Sequence, residues 1–157
     1  MRHIDAGDGV PDPWVLVIAG VTALGRRQAM RAVTGALGEG KNVFVLDGQV
    51  PAFGSEDLAT TEGREVLVYS FGARERDGLA ARLLEPTDDH RGRVWRMVGR
   101  RLGTVLRPLG VWSQARPAIR PLATGPAPER IVCCDEVSIT TAWKSSRIWP
   151  GTPVGGG

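Results

Sequence analysis

The sequence predicts an α/β fold built on a parallel sheet, because two stretches of the chain each combine a strand, a loop and a helix. The first stretch begins with the apolar run 14–19 (WVLVIA), which stops at Gly20. The second begins at Arg130, where a short apolar run ends at the acidic pair Asp135 and Glu136 and a helical segment follows. Strands that alternate with helices in this way are typical of parallel sheets.

The first unit continues into a helix and a second strand. Apolar side chains recur at spacings of three and four between Met30 and Leu37, which predicts a helix over residues 26–37 with one core-facing side. Gly38 and a second glycine two residues later predict the end of that helix. The segment 42–46 (NVFVL), apolar after its first residue, follows directly and predicts the second strand.

A third strand is predicted at residues 65–71 (EVLVYSF), where β-branched and aromatic residues are concentrated. The polar segment 51–64 before it predicts a loop. Residues 78–84 after it are suited to a short helix, which Pro86 would end.

Residues 91–106 predict an amphipathic basic helix. Its apolar stripe consists of Val94, Val98, Leu102, Val105 and Leu109. The opposite side carries Arg93, Arg96, Arg100 and Arg107. This pattern is compatible with packing on the protein's own domain, with an anionic membrane surface, or with nucleic acid. We expect nucleic acid least, because few aromatic side chains accompany the arginines.

Five prolines predict that residues 108–128 form a loop or a short helical piece before the fourth strand. Ser138 or Asp135 can cap the last helix, which Pro150 ends. Val154 is suited to begin a further strand, and the sequence stops three glycines after it. We therefore expect a sheet that is apparently truncated.

One domain is expected over residues 14–157, after a flexible lead-in at 1–13 that is rich in glycine, proline and aspartate. The longest apolar run, residues 14–21, is far shorter than the roughly 18 residues of a membrane-spanning helix. The first residues also lack the apolar core of a signal peptide. The sequence therefore favours a cytoplasmic protein, and the alternative in which the basic helix binds anionic lipid would place it peripherally on the inner face of the membrane.

Charge is distributed unevenly between the two halves of the chain. Residues 1–90 contain 9 Lys+Arg and 14 Asp+Glu, which gives −5, and residues 91–157 contain 11 and 3, which gives +8. Between Arg91 and Pro128 there are 8 arginines and no acidic residue. This region therefore predicts an anionic partner.

The segment 20–27 (GVTALGRR) has the glycine spacing of a phosphate-binding Walker A loop. It lacks the Lys and the Ser or Thr that should follow the second glycine, since Arg26 and Arg27 stand there, and it does not match the GxGxxG fingerprint either. Two interpretations remain. The segment is either a loop whose free N–H groups receive an anion or a sugar hydroxyl, or a plain tight turn.

Ligands of open α/β sheets bind beyond the carboxyl ends of the strands, so the loops at 20–25 and 134–138 should face one crevice. There Asp135 can accept hydrogen bonds from a polyol or act as a base, or it can simply cap the last helix. For Glu136 capping is favoured. Two histidines, His3 and His90, give little support to a catalytic triad or a metal site.

The adjacent Cys133 and Cys134 should point to opposite faces of the fourth strand. This arrangement favours neither a disulfide nor a metal pair between them. We expect both to be packing residues.

These pieces in this order resemble the N-terminal half of a family 4-like glycosyltransferase of the GT-B type. The resemblance covers about residues 14–154 and rests on the first strand with its glycine loop, GRRQAMRAVTGALGEGKNVFVLD, the basic helix and IVCCDEVSITTAWKSSR. In such enzymes two Rossmann-like domains face each other, the N-terminal one usually taking the acceptor and the C-terminal one the nucleotide sugar. The resemblance implies a Rossmann-like acceptor domain, with a sugar or lipid-linked acceptor and without a metal or other cofactor.

On this resemblance Asp135 would be the catalytic residue of the acceptor site. The acceptor-binding residues would be Gly20, Val21, Thr22, Gly25 and Glu136. The sequence departs from the family pattern at two places: Cys133 and Cys134 replace polar neighbours, and Gly25, Arg26 and Arg27 replace an Asp-x-Arg-Val entry to the first helix.

The 157 residues contain neither an E-x7-E pair nor a second Rossmann-like unit for the donor. We therefore expect no sugar transfer by the chain alone and a need for a C-terminal donor-binding domain or subunit. The alternative is a non-catalytic Rossmann-like module that binds a sugar, a nucleotide or a partner protein.

Overall fold

In the computed structural model of the chain, the described residues are 2–3, 12–20, 22–48, 64–71 and 93–157, with backbone alone for 2–3 and 93–107. The strands are β1 (Arg2–His3), β2 (Trp14–Gly20), β3 (Asn42–Asp47), β4 (Val66–Ser70), β5 (Arg130–Cys133) and β6 (Val154–Gly156). The helices are α1 (Ala23–Gly38), α2 (Arg93–Leu122) and α3 (Ile139–Ile148). Residues 51–63 of the predicted loop, the predicted short helix at 78–84 and His90 lie outside the described residues.

The strands form one sheet of order β1-β4-β3-β2-β5-β6, in which every neighbouring pair is parallel. From β4 to β6 this is the order 3-2-1-4-5 of a Rossmann-like, doubly wound sheet. The predicted α/β class with a parallel sheet and flanking helices is therefore confirmed. Within the segment 1–13, for which composition predicts a flexible lead-in, Arg2–His3 pair with β4 at the sheet edge.

Two apolar layers cover the two faces of the sheet. Alternate residues of β2 divide between them: Val15 and Val17 pack with α1, whereas Leu16 and Ile18 pack with α2 and α3. β2 and β3 are buried along their whole length, because strands covered by helices on both faces leave no side for water. Their continuous apolar runs, which the sequence shows, follow from this position at the centre of the sheet.

The structure corrects the prediction of a loop or short helical piece at 108–128. α2 continues to Leu122 and contains Pro108, Pro117 and Pro121, so only the residues after 122 leave the helix. One side of the C-terminal half of α2 is buried against the sheet, namely Val111, Ala115, Ala118, Ile119 and Leu122. Each large apolar side chain in such a stripe contributes about 1.5–3 kcal/mol, which offsets the roughly 3 kcal/mol that an internal proline costs a helix.

Leu109 closes the apolar stripe that the sequence predicts for the basic helix, yet it is exposed. Among the α2 residues with described side chains, 108–122, the buried side begins at Val111, two positions further on. In the described half the helix therefore presents a different side to the sheet than the pattern of residues 94–109 suggests.

The C-terminal strand predicted at Val154 is present as β6, which pairs with β5. Before it, the Trp149 ring packs edge-on against Trp14, with centroids 5.7 Å apart. The Trp14 indole N–H also donates to the Pro126 carbonyl at 3.1 Å. These contacts attach the end of α3 to the beginning of β2 and extend the core on the face of the sheet that α2 and α3 cover.

Within the described part of the chain, no helix combines the length and the apolar character that crossing a bilayer requires.

Replacement of Pro117 by Ala should stabilise the protein. The residue is exposed inside α2, and alanine restores an N–H that can bond the Ser113 carbonyl one turn earlier. The intrinsic helical gain of about 3 kcal/mol, less about 1 kcal/mol for a more flexible unfolded chain, predicts a net gain of roughly 2 kcal/mol. Urea unfolding measures it. Pro126→Ala, exposed and outside the helix, is the control and should give no gain; equal effects would contradict the helical role of position 117.

Candidate functional site

The sheet reverses its winding between β2 and β5, and this junction defines the candidate site. Along the chain β2 leads to β3 on one side, whereas β5 lies against β2 on the other side. α1 covers one face of the sheet, and α2 and α3 cover the opposite face. Where the winding reverses, the loops after neighbouring strands separate and leave a crevice beyond their carboxyl ends.

Asp135 connects the two loops at this junction. Its Oδ2 accepts hydrogen bonds from the Thr22 backbone N–H at 3.2 Å and from the Thr22 hydroxyl at 2.9 Å. Its Oδ1 accepts from the Ser138 N–H at 2.8 Å. The loops predicted to face one crevice therefore meet through a single half-buried carboxylate.

Thr22 is the N-cap of α1, and its hydroxyl has two roles. It donates to Asp135, as above, and it accepts from the Gly25 N–H at 3.0 Å. The N-terminus of a helix carries a partial positive charge and free N–H groups, and anions bind there for that reason. In this protein the anion at the start of α1 is the chain's own Asp135 carboxylate.

Two glycines make room for this carboxylate. Gly20 has φ +67°, in the left-handed region, and a Cβ built there would overlap the Asp135 carboxylate. A Cβ on Gly25 would overlap the Ala19 carbonyl oxygen and lie 2.9 Å from Asp135 Oδ2. The glycine spacing that suggests a phosphate loop is thus explained by the close approach of a side chain to the backbone.

Asp135 also caps the segment that leads into α3. A 3₁₀ turn spans Glu136–Ser138, with Asp135 as its N-cap, and the Ser138 hydroxyl accepts from the Asp135 N–H at 3.2 Å. Asp135 therefore caps the turn before α3, whereas the N-cap position of α3 itself is Ser138, whose side chain makes no capping hydrogen bond there. The favoured capping role of Glu136 is wrong, because Glu136 lies exposed within the turn and the cap is the residue before it.

The two cysteines lie on opposite faces of the sheet, as predicted, and both are free thiols. Cys133 is half-buried, with its Sγ 3.0 Å from the Ser138 hydroxyl. Cys134 is buried, and burial, followed by the neighbouring Cys133 and Asp135 charges, raises its pKa to about 12. The Cys134 thiol is therefore protonated at neutral pH and behaves as an apolar packing group.

The remaining predicted site residues are only partly described. Val21 lies outside the described residues. The backbone of Arg93, Arg96, Arg100 and Arg107 is helical within α2, and their side chains lie outside the description. The residues that the structure brings together are Gly20, Thr22, Gly25 and Asp135.

Two polar residues near the crevice are not predicted as site residues from the sequence. Ser138 holds Asp135 from the α3 side, although only its capping potential is visible in the sequence. Asp47 is fully buried at the carboxyl end of β3, and the Gly48 N–H beside it donates to the Gly20 carbonyl at 2.9 Å. An acid that closes an apolar strand is the signal that could have identified Asp47.

Among the described residues, no group of three or more His, Cys, Asp and Glu side chains is placed to hold a metal ion. Comparison with protein-family models, with curated proteins and with solved structures gives no match to this chain. The geometry of the crevice is therefore the basis on which a function can be inferred.

Replacement of Gly20 by Ala should destabilise the fold by more than about 2 kcal/mol, since the left-handed backbone alone costs about 1–2 kcal/mol and the methyl group displaces Asp135. Gly35→Ala in α1 is the matched control. It meets no atom within 4 Å and should stabilise the helix by about 0.5–1 kcal/mol. Urea unfolding compares the two variants, and a tolerated alanine at Gly20 would refute the close approach of Asp135.

Proposed function

We propose that this chain is the acceptor-side domain of a glycosyltransferase of the GT-B type, and that its crevice takes a neutral, hydroxyl-bearing acceptor. The observation that carries the proposal is the Asp135 carboxylate at the N-terminus of α1. It occupies the position at which a Rossmann-like domain otherwise receives a phosphate group.

The Asp135 carboxylate, which already occupies the start of α1, changes which class of ligand the crevice favours. A nucleotide diphosphate at this position would lie against a like charge that Thr22 and Ser138 already hold in place. A neutral sugar or polyol experiences no such repulsion, and its hydroxyl groups can donate to carboxylate oxygens. The geometry thus supports an acceptor site better than a nucleotide site. This agrees with the resemblance, which implies that the N-terminal domain takes the acceptor and the C-terminal domain the nucleotide sugar.

In this proposal the nucleotide sugar is a donor substrate held by a separate C-terminal donor-binding domain or subunit. This chain supplies the acceptor crevice. Asp135 orients the acceptor hydroxyl and takes up its proton, while Thr22 and Ser138 keep the carboxylate in place. Glu136 lies exposed next to it and contributes negative charge.

The second candidate is a non-catalytic sugar- or nucleotide-binding module. One observation favours it: both oxygens of Asp135 already accept hydrogen bonds from the protein, as a purely structural carboxylate would. The two candidates differ in what the charge of Asp135 does for binding.

Titration of the isotopically labelled chain, followed by backbone amide NMR, tests the proposed ligand class. Methyl glycosides and myo-inositol are the neutral probes, and UDP-glucose and ADP are the nucleotide probes. We expect the neutral probes to shift the amides of Thr22, Gly25 and Ser138, and the nucleotides to leave these amides unchanged at equal concentration. Shifts of these amides by ADP or UDP-glucose at lower concentrations than by any neutral probe would contradict an acceptor site.

Asp135→Asn tests the role of the charge. It should weaken binding of the neutral probes about tenfold or more, because a hydrogen bond to a charged group contributes about 1.5–3 kcal/mol. The same variant should begin to respond to inorganic phosphate. Glu65→Gln removes an exposed charge just before β4, at the amino end of the strands and away from the crevice, and is the control. Equal effects of the two substitutions would favour the structural module over the acceptor site.

A further inference from the structure

α3 carries an exposed ridge of apolar and basic side chains. Ile139, Trp143 and Arg147 follow one another at intervals of four residues, so they lie along one side of the helix. Ile139 is 58% exposed and Trp143 is 55% exposed, so two large apolar side chains face solvent on successive turns of one helix. The Arg147 guanidinium lies over the Trp143 ring, 4.9 Å from its centroid.

α2 extends this ridge into a broader surface. Lys144 of α3 lies 5.3 Å from the ring centroid of Trp112 on α2, and the exposed Arg116 follows Trp112 by one helical turn. We call this the α2/α3 surface: Trp112, Arg116, Ile139, Trp143, Lys144 and Arg147. It joins the half of α2 with described side chains to the outer side of α3.

We propose that the α2/α3 surface docks on an anionic lipid bilayer. Charge complementarity supports this occupant, because residues 108–128 and 137–157 contain no Asp or Glu. Lysine and arginine near an anionic leaflet are attracted to it, and tryptophan concentrates at the boundary between headgroups and acyl chains. Ile139 and Trp143 supply the apolar insertion that a purely basic patch lacks.

The aromatic side chains of this surface are arranged for a membrane interface rather than for nucleic acid. Arg147 lies over one face of Trp143 and Lys144 over one face of Trp112, which leaves fewer ring faces open for base stacking. Ile139 offers a base neither stacking nor a hydrogen bond. The same residue adds favourable transfer energy when it enters a bilayer.

The proposal is independent of the ligand assigned to the crevice, but the two sites are close together. Ile139 directly follows Ser138, which bonds Asp135. A bilayer on the α2/α3 surface would therefore lie near the acceptor crevice.

Vesicle flotation of the intact chain tests the proposal, with vesicles of equal parts phosphatidylglycerol and phosphatidylcholine and, separately, of phosphatidylcholine alone. We expect binding to the anionic vesicles at low salt, little binding to the neutral ones, and strong weakening at about 0.5 M NaCl, where the charges are screened. Lys144→Glu with Arg147→Glu should lower the partition coefficient at least about tenfold.

Arg27→Glu with Arg31→Glu is the matched control, because it changes the charge equally on exposed residues of α1, on the other face of the sheet. It should lower partitioning no more than about threefold, through net charge alone. Trp143→Ala should lower it several-fold, and Ile139→Ser provides the same test on a second exposed side chain. Circular dichroism verifies that each variant is folded.

Three results would overturn the proposal: no binding to anionic vesicles at low salt, equal losses in the two double variants, or an unchanged partition coefficient in both Trp143→Ala and Ile139→Ser. A single-stranded oligonucleotide that binds through Lys144 and Arg147 while anionic vesicles do not would assign the surface to nucleic acid instead.

Discussion

The Asp135 carboxylate is the interaction on which the carboxyl edge of this sheet depends. It joins the end of β5 to the start of α1 through Thr22, and it caps the turn into α3 through Ser138. Helices on opposite faces of the sheet thereby share one anchor. Because this anchor lies directly against the backbone, Gly20 cannot carry a side chain. The glycine loop, the cap of the turn before α3 and the position of α3 all follow from where the Asp135 carboxylate lies.

The same placement links the fold to its proposed chemistry. Rossmann-like sheets leave a crevice where their winding reverses, and they usually present N–H groups to a phosphate there. Here a built-in carboxylate satisfies those donors, so the crevice presents negative charge rather than an opening for an anion. Lys144 and Arg147 lie instead on the outer side of α3, beside Trp112 and Trp143. Under the two proposals, the α2/α3 surface binds anions and the crevice binds neutral hydroxyl groups.

The sequence predicts the central strands well, because strands buried on both faces need continuous apolar runs such as VLVIA and VFVL. The prediction from sequence fails at α2. The helix-breaking effect of Pro117 and Pro121 can be seen in the local sequence, whereas the burial of Val111 and Ile119 that offsets it depends on strands distant in sequence. The two loops could be assigned to one crevice from the order of the elements. The sequence could not predict that one carboxylate bonds both loops, because a hydrogen bond between residues 113 positions apart leaves no local pattern.

A double-mutant cycle between Thr22 and Asp135 measures how strongly the contact between them stabilises the fold. Urea unfolding of Thr22→Val, Asp135→Asn and the double variant gives the coupling free energy, which should be about 1–2 kcal/mol. The control cycle pairs Asp135→Asn with Thr34→Val, whose hydroxyl bonds the Met30 carbonyl on the exposed side of α1, and it should show no coupling. Effects of Thr22→Val and Asp135→Asn that add to within about 0.5 kcal/mol would contradict the central role of this contact.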